Sequence, residues 1–242
     1  MDQLVTDDTL FNGRLVCKQY KSGYRFSIDG VLAAHFCTPA PEDSILDLGC
    51  GCGVIGLVLA YRYPQITITG IEVQHELVLL ARKNILENNM RSRITVIEGN
   101  FRNTPELAAP ESFDLIVSNP PFRKQGRGRV SPLVQRARAR HEIDASLADL
   151  VSAAAFAVKN RGKIVLIYPA VRCITLIAEL KNHNLEPKRL QPVYGYPGHA
   201  DASLVLIEAV KNGGEEMHLL PPFYIYSKKN GPYSEAMQEI YQ

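Results

Sequence analysis

The sequence has no tryptophan, no Cys-x-x-Cys pair and no uninterrupted apolar stretch of membrane-spanning length. Its five cysteines (Cys17, Cys37, Cys50, Cys52 and Cys173) are odd in number and scattered. That excludes a disulfide framework or a zinc ribbon as the organising device and points to a reducing compartment. The six histidines fall in no spacing that suggests metal ligands, so no metal is expected. A transmembrane helix needs ~20 consecutive apolar residues, so no membrane association is expected. The first residues, MDQLVTDD, are acidic and have no apolar core of the kind a signal peptide carries. A cytoplasmic protein is the expectation. A strong charge imbalance is also missing: the net charge is +2. A nucleic-acid surface would therefore have to come from local clustering of basic residues.

What is present is ordinary for a globular protein, with 46% hydrophobic and 21% charged residues in 242. That length suits one sizeable α/β domain with appendages. Positions 14–26 read as short strands or loops. Ser27 is placed to cap a short helix, IDGVLAAHFC, that stops before Pro39. From Asp43 the pattern alternates. Strands are expected at 44–49, 66–72, 93–99, 113–119 and 163–169, and helices at 54–63, 77–89, 146–160 and 171–184. Two further strands, near 187–195 and 202–210, have no helix between them. This order predicts a doubly wound, mainly parallel sheet with an antiparallel edge hairpin. The chain divides into an N-terminal segment (1–42), a main domain (43–212) and a tail (213–242) that reads as a loop and a short helix from Ser234.

LDLGCGCGVIGL (46–57) joins the first strand of the alternating region to its first helix. Gly49, Gly51 and Gly53 allow backbone conformations closed to other residues and close approach of a ligand. The helix that follows offers free N–H groups at its start. Glu72 ends the next strand, 23 residues after Gly49, where an acid can accept hydrogen bonds from both hydroxyls of a ribose. A dinucleotide fingerprint needs a third glycine where this chain has Val54. The spacing here, with Asp47 two residues ahead of Gly49, resembles the first motif of class I S-adenosylmethionine-dependent methyltransferases. That resemblance implies that the methionine part of the cofactor lies against the turn and Glu72 on its ribose. It also implies that Asn100 and Phe101, after the third strand, meet the adenine. Asn100 stands where many members carry an aspartate, and its side-chain carbonyl can accept the same bond without the charge. Phe101 can stack on the adenine or belong to the core.

Ser118-Asn119-Pro120-Pro121-Phe122 follows the apolar run FDLIV. Two prolines in succession cannot continue a strand. Asn119-Pro120-Pro121-Phe122 resembles the [DNS]-P-P-[YFW] motif of class I enzymes that methylate amino groups. An exocyclic amino group is a poor nucleophile because its lone pair is delocalised. Acceptors that hold its two N–H groups, here the Asn119 side chain and the Pro120 carbonyl, turn the lone pair toward the incoming methyl. The prolines fix that carbonyl, and Phe122 offers a flat face to the substrate. The next stretch, 123–141, carries Arg123, Lys124, Arg127, Arg129, Arg136, Arg138 and Arg140 with no acid among them. Beside a substrate pocket, such a stretch suits a polyanion; a solvated surface loop is the plainer alternative.

Further segments narrow the resemblance. Tyr24-Arg25-Phe26-Ser27-Ile28-Asp29-Gly30-Val31-Leu32, Ala139-Arg140-His141-Glu142, LVLIEAVKNGG (204–214) and YSEAMQEIY (233–241) resemble the tRNA1(Val) adenine-N6-methyltransferase family. The resemblance implies a Rossmann-like class I methyltransferase with a seven-stranded sheet. It implies S-adenosyl-L-methionine as cofactor, and Asp29 near its methionine end in an N-terminal segment that covers the site. It implies an RNA partner, most specifically a tRNA anticodon loop, with no obligatory protein partner. NPPF also occurs in enzymes that methylate guanine N2 of ribosomal RNA, and NPPY in glutamine-N5-methyltransferases of release factors. These are the alternative substrates. The stretch PPFYIYSKK (221–229) sets three aromatic residues beside two lysines, either to hold RNA or as a packed tail.

Overall fold

The computed structural model describes residues 5–21, 28–120 and 147–241. The chain opens with β1 (Val5–Leu10) and β2 (Leu15–Tyr20), an antiparallel hairpin that forms a small sheet of its own. It leads into α1 (Ile28–Phe36), the short helix expected there. Ser27, its expected cap, lies outside the described residues.

The alternating region follows as β3 (Ser44–Leu48), α2 (Val54–Arg62), β4 (Thr67–Glu72), α3 (His75–Glu87) and β5 (Ile94–Glu98). A single 3-10 turn at Phe101–Asn103 and the short α4 (Thr104–Leu107) then lead to β6 (Phe113–Ser118). Beyond residue 146 come α5 (Leu147–Ala157), β7 (Val158–Pro169), α6 (Cys173–Asn182), β8 (Leu185–Tyr194) and β9 (Leu204–Lys211). The seven strands β3–β9 make one sheet in the order β8-β9-β7-β6-β3-β4-β5, in which β9 alone runs against the others. Buried residues of α1, α2 and α3 build the core on one face of this sheet, and those of α5 and α6 build it on the other.

Two expectations change. The helix expected over 146–160 ends at Ala157, and Val158 already pairs with Phe113 at the start of β7. A buried, β-branched valine has a strand partner available there, and pairing wins over helix continuation. Ser146, its expected cap, is outside the described residues. The tail is also more ordered than a loop. β10 (His218–Leu219) and β11 (Phe223–Tyr224) each pair with β8 in parallel, along its outer edge. Pro221 and Pro222 separate them, which keeps this edge strand short and interrupted. Pieces of two residues carry no alternation to read in a sequence. The last helix, α7 (Glu235–Ile240), is capped by Ser234, whose Oγ accepts from the Met237 N–H at 3.1 Å.

The N-terminal hairpin is stitched to the main sheet by two asparagines of α3. The Asn84 side chain is fully buried. Its Oδ1 accepts from Lys18 N at 2.7 Å, and its Nδ2 donates to Lys18 O at 3.1 Å and Cys52 O at 3.0 Å. Asn88 holds Val16 in the same two-handed way, at 2.9 and 2.7 Å. Asn84 thus ties the hairpin and the glycine turn to one side chain. Truncating it leaves buried backbone groups without partners, at about 1–3 kcal/mol for each group. Asn84→Ala is expected to lose about 3 kcal/mol of unfolding free energy. Urea denaturation measures it; a midpoint equal to that of the wild type would refute the role given to Asn84.

Candidate active site

The glycine turn crosses from the end of β3 to the start of α2. Gly49, Gly51 and Gly53 all have positive φ, at 75°, 57° and 85°. A side chain at Gly53 would also press on Ala81 of α3, since a Cβ there would sit 3.4 Å from the Ala81 Cβ. Two backbone bonds seat the turn on β4: the N–H groups of Gly49 and Cys50 both donate to Ile71 O, at 2.9 and 3.1 Å.

Glu72 ends β4 and is buried. Its carboxylate accepts from Gly51 N and from Gln74 N, both at 2.9 Å. It therefore clamps the turn to the chain that enters α3. Burial raises its pKa, and the N–H groups of Gln74 and Gly51 pull it back. Asp47, two residues before the turn, is 1% exposed, and neither of its carboxylate oxygens has a hydrogen-bond partner among the described residues. Burial drives its pKa from 3.8 to about 8, with the charge of Glu72 adding to the rise. A buried carboxyl without partners is costly. Its chemistry suits a cationic ligand brought against the turn, such as the methionine ammonium of the S-adenosylmethionine that the class I resemblance implies. The donor set fits that cofactor: an unpartnered acid for a cation and an acid at a strand end for ribose hydroxyls.

The remaining expected residues surround this pair. Asn100 follows β5, whose next residue, Gly99, donates its N–H to Glu72 O at 2.9 Å. Asn100 Oδ1 accepts from Arg102 N at 3.0 Å and so caps the 3-10 turn. A carbonyl oxygen retains a second lone pair for an adenine amino group. Phe101 is 8% exposed and packs with Leu46, Leu48 and Ile71 in the core. Asp29 lies in the first turn of α1. Its neighbour Gly30 abuts the start of α2, where an added Cβ would stand 3.0 Å from Val54 Cγ1.

Across the sheet, β6 pairs with β3, and Asp47 lies beside Val117. Ser118 Oγ, fully buried, donates to Leu48 O at 2.6 Å and locks the two strand ends together. The chain leaves β6 through half-buried Asn119 and buried Pro120. Nothing in the sequence around Ser118 signals this tie, which arises only from the pairing of the two strands. Pro121, Phe122 and the basic residues Arg123, Lys124, Arg127, Arg129, Arg136, Arg138 and Arg140 lie outside the described residues, as do Tyr24, Arg25 and Phe26. Among the described residues no cluster of His, Cys, Asp and Glu could hold a metal ion, and no helix is long and apolar enough to cross a membrane.

Residues 29–168, which contain this whole constellation, match the methyltransferase small domain family. The chain belongs to that family. This methyltransferase is 34% identical over 190 residues to the tRNA1(Val) (adenine(37)-N6)-methyltransferase of Porphyromonas gingivalis (strain ATCC 33277), covering 76% of this chain and 73% of the relative. It is 26% identical over 225 residues to the protein of the same name from Bacteroides thetaiotaomicron, covering 91% and 92%. Among solved structures, a predicted O-methyltransferase from Agrobacterium tumefaciens superposes with a TM-score of 0.71 at 20% identity, covering 88% of this chain and 94% of that one. That likeness concerns the fold, which is the class I methyltransferase fold.

In this methyltransferase the strand order reverses between β3 and β6, the position where open α/β sheets generally bind ligands at the carboxyl ends of their strands. The glycine turn follows β3 there and Asn119-Pro120 follow β6. Val171, in the turn between β7 and α6, and Ile174, in the first turn of α6, add two outward apolar side chains to the same end of the sheet, at 90% and 80% exposure.

The unpartnered Asp47 gives the free methyltransferase a pH signature. The unfolded chain ionises Asp47 near 3.8, whereas the folded protein keeps the proton until about 8. Stability from this group is thus fully present below about pH 4 and is lost as pH rises toward about 8. Asp47→Asn removes that loss. Thermal unfolding of the ligand-free protein should show the variant gaining on the wild type between pH 5 and pH 8. Parallel curves across that range would contradict the assignment.

Proposed function

We propose that this methyltransferase transfers the methyl group of S-adenosylmethionine to an exocyclic amino group of RNA, most specifically N6 of an adenosine in the anticodon loop of a tRNA, in the cytoplasm. One observation carries the reading: Asn119-Pro120 leaves β6 at the switch point, with β6 tied to the glycine-turn strand through Ser118. An amide acceptor followed by a rigid carbonyl suits a planar amino group with two N–H donors. The relatives named tRNA1(Val) (adenine(37)-N6)-methyltransferase support the choice of base and RNA. The basic stretch 123–141 supports a polyanionic substrate.

The cofactor supplies an electrophilic methyl on a sulfonium when bound. Every other part is assigned to the chain. Asp47 neutralises the cofactor's cation, and Glu72 holds its ribose while clamping Gly51. Asn100 accepts from the adenine, and Asp29 closes the methionine end from α1. Asn119 and the Pro120 carbonyl hold the two N–H groups of the acceptor and direct its lone pair at the methyl. Pro121 and Phe122 are assigned to the acceptor side through the motif they share with amino-methylating enzymes. Positioning carries most of the rate, and the proton is acidic once nitrogen has been alkylated, so no dedicated base is required. An anticodon-loop base is already partly unstacked, which lowers the cost of bringing it into the pocket.

The test is labelled methyl transfer from S-adenosylmethionine into undermodified total RNA, with nucleoside digestion and mass spectrometry. N6-methyladenosine in the tRNA fraction is the expected product. Asn119→Ala should lose about a hundredfold in rate, equivalent to about 2.7 kcal/mol, with cofactor affinity retained. N2-methylguanosine, or a labelled release factor and no labelled RNA, would overturn the substrate. Undiminished turnover in the variant would overturn the role of Asn119.

A further inference from the structure

The tail offers an aromatic ladder at the same end of the sheet. β11 extends the β8 edge, and the pairing continues past both strand ends: Ile225 N donates to Tyr194 O at 3.0 Å and Tyr226 N to Gly195 O at 2.8 Å. β8 runs in the same sense as β6, because both β7 and β8 are antiparallel to β9. Tyr226 therefore emerges at the carboxyl end of the sheet, the end that carries Asn119. It lies four strand spacings from β6, about 19 Å.

The chain then turns back, and Tyr226 meets Tyr233 in an isolated antiparallel bridge. Their rings stack with centroids 5.5 Å apart. Tyr233 in turn stacks on Tyr241 at 5.8 Å with the planes 3° apart. Tyr241 packs against the core, so the ladder is rooted in the domain. The outermost ring, Tyr226, is 39% exposed, and the middle ring, Tyr233, is 38% exposed. Between them the turn carries Lys228 and Lys229, both exposed, and residues 222–234 contain no acid. Stacked aromatic rings beside positive charge are the device by which proteins hold single-stranded nucleic acid without reading its sequence.

We propose that Tyr226, backed by Tyr233, forms with Lys228 and Lys229 a stacking platform for unpaired nucleotides of the RNA substrate, on the strand that flanks the target base. The proposal rests on the RNA reading above and extends it to a second contact. At a stacked rise of about 3.4 Å per nucleotide, the 19 Å separation spans about six nucleotides. The platform thus meets the RNA outside the target position and contributes to its affinity rather than to the transfer step.

The experiment measures methyl transfer to a tRNA transcript by Tyr226→Ala, Tyr226→Phe and the double variant Lys228→Glu/Lys229→Glu. Tyr226→Ala is expected to raise KM for tRNA about tenfold, with kcat and the affinity for S-adenosylhomocysteine kept. Tyr226→Phe, which keeps the flat face, should behave as wild type. The lysine variant should raise KM comparably and weaken its dependence on salt. It alters only exposed side chains, so it decides the matter if Tyr226→Ala lowers the melting temperature. A KM within twofold of wild type in both the alanine and lysine variants, with the wild type methylating tRNA, would overturn the platform alone. A wild type that labels protein and no RNA would overturn the function proposed above, and the platform with it.

Discussion

Two carboxyl groups buried side by side at the ends of β3 and β4 set the terms for the rest of this structure. Glu72 is stabilised in part by two N–H groups, Gly51 of the turn and Gln74 at the start of α3. Asp47 has no such partners among the described residues and is kept protonated by its surroundings. An apolar residue at position 47 would suit the free protein better, in line with the general cost of burying polar groups without partners. The free fold thus carries a local cost at the point where the proposed function puts the cofactor's cation, a common feature of functional sites. The three glycines, the bonds from Gly49 and Cys50 to Ile71, and the close approach of Gly53 to α3 all hold the turn over this pair.

The surroundings follow from that arrangement. Asn84 joins the N-terminal hairpin to the turn through Lys18 and Cys52, so the hairpin is positioned relative to the cofactor site rather than appended to it. Ser118 ties β6 to β3 and thereby fixes where Asn119 and Pro120 leave the sheet. Strand order reverses at this pair, which brings the glycine turn and Asn119-Pro120 to the same end of two neighbouring strands. On the far edge, β10 and β11 lengthen the sheet and carry the tyrosine ladder to the same end. Apart from the tyrosine ladder, each connection is a hydrogen bond between segments distant in sequence.

This pattern explains what a sequence can and cannot convey here. Apart from the four-residue α4, which has no periodicity to read, the strands and helices from β3 to β9 were legible because each has its own periodicity and because glycine and proline punctuate their ends. The glycine turn, Glu72 and Asn119-Pro120 were legible because their residue types have few other uses at those spacings. The end of α5 was misjudged because Val158 answers to Phe113, a partner 45 residues away. β10 and β11 were missed because two-residue strands have no pattern, only a neighbour. Ser118 and Asn84 carry no local signal, since a serine or an asparagine becomes a tie only when folding brings a distant backbone group to it. The isolation of Asp47 is likewise a property of the packed interior.

The most direct test of this account is the proton balance of cofactor binding. Isothermal titration of the protein with S-adenosylhomocysteine at pH 7, in buffers of differing ionisation enthalpy, counts protons exchanged on binding. With its pKa near 8, Asp47 is largely protonated in the free protein and must ionise to face the ligand's ammonium group. The account predicts release of about one proton per molecule bound, and none for Asp47→Asn. Binding by the wild type with no linked proton would contradict the role given to this carboxyl.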